Sequence, residues 1–114
     1  MSINLGEINE ARSRIVMTAR KMLAGELSYI EGSRVIIAKL PDGQVDNMDD
    51  FTVFLGIVSE TDRFPMGAHR DQWQTLTLEL MQPDLDKAED WAKAYGKTAC
   101  FAIVERLRER PFEL

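Results

Sequence analysis

The sequence predicts an all-α protein, a compact bundle of four to five helices with a long C-terminal helix. Three observations carry that expectation. Apolar residues recur every three or four positions over most of the chain. The breaks between those stretches hold helix-stopping and helix-starting residues. The one segment with strand-like alternation, Thr75 to Leu80, has no convincing partner to pair with elsewhere in the chain. At 114 residues and 45% hydrophobic content, a single helical domain spanning 1–114 with one core is the expectation.

The first helix is expected from Leu5 to Leu23, where Leu5, Ile8, Ala11, Ile15, Ala19 and Met22 fall on one face. Gly25 follows, suited to the left-handed conformation that ends a helix. Ser28 and Glu31 then have the spacing of a capping box, in which a hydroxyl and a carboxylate serve backbone amides at a helix start. Tyr29, Ser33, Ile36 and Leu40, with Ile30 and Ile37 beside them, give the second helix an apolar stripe. Pro41, Asp42 and Gly43 stop it. The two helices are expected to form an antiparallel hairpin.

Asp46, Asp49 and Asp50 precede Phe51, Phe54, Leu55 and Val58, so carboxylates stand near the positive end of a third helix dipole. With Val53 and Ile57 added, that helix is apolar around most of its circumference and is expected to be the most buried. Phe64, Pro65 and Gly67 break the pattern and open a connection that reaches at least to Arg70. Thr75 to Leu80 reads as a helical or irregular arm. Pro83 suits a first helical turn, and Leu85, Ala88, Trp91 or Ala92, Tyr95, Ala99, Ile103 and Leu107 continue one stripe of a long final helix. Gly96 inside that stripe marks a kink or a close helix contact.

Charge and composition narrow the function. A formal net charge of −5 with 29% charged residues disfavours nonspecific attraction to nucleic acid or to an anionic membrane, and suits a basic partner. The sign-mixed run Glu105, Arg106, Leu107, Arg108, Glu109 and Arg110 reads as a solvated helix end rather than a nucleic-acid footprint. No secretory signal or membrane-length apolar run is evident, so a cytoplasmic location is expected. The single cysteine, Cys100, rules out an intrachain disulfide or a thiolate zinc cluster, and its neighbours Ala99, Phe101 and Ala102 suggest a buried structural thiol. No phosphate-cradling loop, dinucleotide fingerprint or helix-borne histidine pair is present, and no cofactor is expected.

The unusual side chains gather between Ile57 and Trp73. Ser59, Asp62 and His69 include the residue types of a hydrolytic triad, but no glycine-flanked nucleophile turn accompanies them. Glu60, Asp62 and His69 would suit a divalent ion if the helix ended between the two acids. The plainer alternative has the acids pairing with Arg63 and Arg70. Asp84, Asp86, Glu89 and Asp90 are expected to offset the dipole in the first turns of the final helix, not to act as paired catalytic carboxylates. What remains is recognition. Glu60, Asp62, Arg63, Phe64, His69, Arg70 and Trp73 mix aromatic and charged groups in the way of protein-binding hot spots. The competing account has Phe64 and Trp73 plugging the end of the bundle.

The run Ser59, Glu60, Thr61 and Asp62, followed by Pro65, Gly67, Arg70 and Trp73, resembles a bacterial family labelled domain of unknown function 2489. That resemblance extends from ARSRIVMTARKMLAGELSYIEGSR through FLGIVSETDRFPMGAHRDQW to the last helical stretch. It implies a small helical bacterial protein and brings no reaction with it. More loosely, in size and charge, the chain is similar to immunity proteins that neutralise a bacterial toxin. The leading expectation is a noncatalytic protein-binding domain, with an immunity-like role as one version. A small metal-dependent or hydrolytic enzyme using Glu60, Asp62 and His69 is the first alternative. A structural or regulatory homodimer, suggested by Leu76, Leu78 and Leu80, is the second.

Overall fold

The computed structural model describes residues 4–45 and 48–107, without the side chains of residues 48, 50 and 67–69. It is all-α: α1 spans Leu5–Leu23, α2 Tyr29–Lys39, α3 Met48–Thr61 and α4 Thr75–Leu107, with a short 3-10 helix at Gly67–Gln72 between α3 and α4. There is no strand among the described residues. Asp46 and the run from Arg108 to Arg110, which entered the sequence reading, lie outside the described residues.

Each terminus of α1 is closed by local chemistry. The Asn4 side chain accepts a hydrogen bond from the Glu7 amide at 3.1 Å, which satisfies one of the amides that a first turn leaves unpaired. At the other end Gly25 takes φ +78. Its amide donates to the Met22 carbonyl at 3.2 Å while that of Glu26 donates to Lys21 at 2.9 Å. This paired return is the Schellman arrangement, and the positive φ makes glycine the natural residue there.

The antiparallel α1/α2 hairpin follows from contacts at both ends. Arg12, early in α1, donates from Nε to the Gly43 carbonyl at 2.6 Å and from Nη2 to the Gln44 carbonyl at 3.1 Å, beyond the end of α2. Met22, late in α1, packs against Gly32, early in α2, so closely that a Cβ on Gly32 would overlap the thioether. The pair α2/α3 is also antiparallel, since Tyr29 at the start of α2 and Ile57 late in α3 both meet Gly96 of α4.

The core is filled by Ile15, Ala19 and Met22 of α1, Ile30 and Ile36 of α2, Phe54 and Ile57 of α3, and Ala92, Cys100 and Ile103 of α4. At Gly96 α4 comes close to its neighbours. A Cβ there would stand 2.8 Å from Ile57 Cδ1 and 3.4 Å from Tyr29 Cδ2, so the glycine serves a close helix contact. The expectation that α3 would be the most buried helix is corrected. Leu55 is 38% exposed and Val53 and Val58 are only partly covered, because α3 packs through one face that carries Phe54, Ile57 and Thr61.

The final helix begins eight residues before Pro83, which lies inside it. Proline there removes the amide that would bond the Glu79 carbonyl, but Glu79 is exposed, so water can satisfy that carbonyl, and the flanking leucine, methionine, glutamate and glutamine residues favour helix. The arm from Thr75 to Leu80 is therefore the start of α4. A helix of 33 residues is about 50 Å long, matching the 51 Å longest dimension of the molecule. Of the two alternatives in the stripe, Ala92 is the buried one and Trp91 is 41% exposed, while Tyr95, assigned to the stripe, is corrected: it is 43% exposed, and Gly96 and Cys100 face the core.

Candidate functional site

The end of α3 is held from inside. Thr61 is fully buried, and its hydroxyl donates to the Ile57 carbonyl at 2.6 Å. Arg34 reaches across from α2 and donates through Nη2 to the carbonyls of Thr61 at 2.7 Å and Phe64 at 2.9 Å. A guanidinium at a helix C-terminus meets the negative end of the dipole and occupies carbonyls that no further helical turn would satisfy. The Phe64 amide donates to the Thr61 carbonyl at 3.1 Å, and the Phe64 ring is 2% exposed. Of the two aromatics in the connection, Phe64 is thus the one that plugs the bundle.

The charged side chains around this anchor face outward. Glu60, Asp62 and Arg63 are exposed, as are Ser59 before them and Asp71 beyond. The Arg63 guanidinium lies over the Phe64 ring, 4.2 Å from its centroid. Such stacking lowers the conformational freedom of the arginine and leaves its planar N–H edge for a ligand. Arg70 is partly buried on the 3-10 helix, and Trp73, 42% exposed, follows as that helix ends with its amide bonded to the Arg70 carbonyl at 3.1 Å. The side chain of His69 lies outside the described residues.

Seen together, the predicted residues divide. The structure joins Arg63 to Phe64 and leaves Glu60, Asp62 and Trp73 directed at solvent. No ion pair links Glu60 or Asp62 to Arg63 or Arg70 among the described residues. Among the described residues, no three histidine, cysteine or acidic side chains gather to hold a metal ion. Ser59 and Glu60 at the end of α3, and Asp62 just past it, are all exposed.

Arg34, which organises the site, was not singled out in the sequence. Glu89, which organises its frame, was given another role, and the expectation that it offsets the dipole in the first turns of the last helix is corrected together with that for Asp84, Asp86 and Asp90. All four lie well inside α4, whose first turn is at Thr75. The Glu89 carboxylate instead accepts the amides of Tyr29 and Ile30 at 2.5 and 3.2 Å, and so caps α2. Ser28 adds its own side-chain oxygen to the Glu31 amide at 3.0 Å. For Arg34 and Glu89 the partner is main chain from a distant element, so no local pattern announces the contact.

The thiol of Cys100 is fully buried, and desolvation pushes its pKa up to about 12. Burial, then electrostatic interaction with Cys100 and Glu89, also raise that of the Tyr29 phenol. Both groups are held in their neutral forms, which suits core packing and not nucleophilic attack. No helix among the described residues is long and apolar enough to cross a membrane. Comparison of the chain with protein-family models, with curated proteins and with solved structures returns no match in any of the three.

Proposed function

We propose that this chain is a noncatalytic protein-binding domain that presents the connection from Glu60 to Trp73 to a partner, with toxin neutralisation of the immunity type as one concrete form. One observation carries the reading. The connection is fastened from within by Arg34 and the buried Phe64 ring, while Glu60, Asp62, Arg63 and Trp73 face outward. A backbone held in place before binding loses little freedom on association, and this raises the affinity that exposed side chains deliver.

Within that surface each side chain has a distinct role. Trp73 buries apolar area at the centre, and Arg63, already aligned by its ring contact, makes directed hydrogen bonds. Arg70 adds a second guanidinium. Glu60, Asp62 and Asp71 meet basic groups at the rim, in keeping with the net charge of −5. The fitting partner has an apolar hollow ringed by cationic groups.

The test is affinity capture with the tagged chain from lysate of the source organism, followed by titration of whatever is recovered. The wild-type chain is expected to retain a saturable protein ligand that the Arg70→Ala, Trp73→Ala double variant does not. Equal recovery by both chains, or no saturable ligand for either, would overturn the reading.

A further inference from the structure

A second face of the molecule, separate from the connection, is also apolar and uncovered. Leu76, Leu80, Asp84, Lys87, Trp91 and Tyr95 follow one another three or four residues apart along α4 and so share a stripe roughly 100° wide. That stripe lies away from the one that buries Ala92, Gly96, Ala99 and Ile103. Leu76 and Leu80 are 65% and 72% exposed, the highest values among the large apolar side chains. Trp91 and Tyr95 are stacked on each other, with ring centroids 5.3 Å apart and planes 16° apart. Tyr95 is also held in place against Gly56 of α3.

We infer that this face is the interface of a two-fold homodimer in which the α4 helices of two copies pack antiparallel about a centre between Leu85 and Asp86. In that register Leu80 of each copy lies over Trp91 of the other, and Leu76 over Tyr95. Asp84 of each copy comes opposite Lys87 of the other. Every row therefore joins complementary groups, and each does so twice, as a two-fold axis requires.

Three properties of the chain select a second copy as the occupant. The aliphatic half of the stripe, Leu76 and Leu80, lies on the arm, and the aromatic half lies on the bundle, so an antiparallel mate meets aliphatic with aromatic along its length. The central charges are of opposite sign and pair under the same operation, so the net charge of −5 does not oppose contact at the axis. The exposed parts of the four apolar side chains supply on the order of 400 Å² per copy, about half of what a stable interface takes from each partner, before the stems of Asp84, Lys87 and the intervening residues are counted.

Sedimentation equilibrium of the purified full chain tests the inference, with far-ultraviolet circular dichroism to confirm that each variant keeps its helices. The wild type is expected to show a monomer–dimer equilibrium, and Leu80→Asp to be monomeric with unchanged helicity. Asp84→Lys and Lys87→Asp should each weaken self-association roughly tenfold. Because the two residues are also neighbours within one helix, mixing the single variants is the decisive arm. The mixture should form a heterodimer tighter than either variant alone, since each chain then meets the opposite charge across the axis. A wild-type chain that stays monomeric over its soluble range overturns the inference and leaves the proposed partner surface at the connection untouched. A dimer indifferent to the charge exchanges, with no preference for the mixed pair, overturns it equally.

Discussion

Glu89 of α4 caps α2 by receiving the amides of Tyr29 and Ile30 on its two carboxylate oxygens, at 2.5 and 3.2 Å. The contact ties residues 60 and 59 positions apart and sets where the last helix crosses the start of the second. An anion at a helix N-terminus is favoured by the dipole and by the unpaired amides together. Glu89→Ala should therefore lower stability by about 1–3 kcal/mol, measured by urea unfolding. The exposed neighbour Asp90 serves as control, with Asp90→Ala expected to stay within about 0.5 kcal/mol. Equal effects at both positions would mean that the cap contributes nothing.

Gly32 lets α2 sit against Met22, which is 1% exposed and whose thioether occupies the space a Cβ would need. Alanine is the better helix former by about 1 kcal/mol, yet Gly32→Ala is expected to destabilise by about 1–3 kcal/mol through overpacking. Met22→Ala alone should cost about 2–5 kcal/mol. In the double variant the new methyl enters the vacated volume, so the two costs should fall short of additive. Strict additivity in the four-member cycle would contradict the close approach.

Cys100 gives the fold an alkaline weakness. Its thiol is raised from an ordinary value of 9.0 to about 12, so between those values the unfolded chain releases a proton that the folded chain keeps. Stability is full below pH 9 and falls by up to about 1.4 kcal/mol per pH unit above it. Tyr29, raised from 10.0, adds a loss of the same sign at higher pH. Urea midpoints measured from pH 8 to pH 10 should decline in the wild type and decline less in Cys100→Ala. A wild-type profile as flat as that of the variant would contradict the burial of the thiol.

Ser33 is fully buried on α2, and its hydroxyl has no hydrogen-bond partner among the described residues. Ser33→Ala removes an unsatisfied polar atom and raises helix propensity, so stability should rise by about 1 kcal/mol. A comparable loss would show that the hydroxyl is engaged.

How far the fold was legible follows from which forces are local. The start of α1, the Gly25 turn and the Ser28 cap were readable because each depends on residues within one turn of each other. The start of α4 was not. Pro83 is a strong local signal, but the helix passes through it where water can take up the freed carbonyl. Tyr95 was misplaced, and the choice between Trp91 and Ala92 left open, for a related reason: only packing against Gly56 and Ile57 of α3 and Tyr29 of α2 brings the small residues inward. In the candidate site, the outward charges at Glu60, Asp62 and Arg63 could be anticipated from a helix about to end. The split between a buried Phe64 and an exposed Trp73 could not, because it depends on Arg34, which lies 27 and 30 positions from the carbonyls it binds.

Trp73 separates recognition from mere closure of the bundle, because it is the aromatic of the connection that remains 42% exposed. The most direct test is the affinity of the Trp73→Ala chain for the protein captured by the wild type, with the unfolding midpoint followed in parallel. Binding should weaken by roughly tenfold or more while the midpoint stays unchanged. Undiminished binding accompanied by a marked fall in stability would make Trp73 a structural plug and contradict the account.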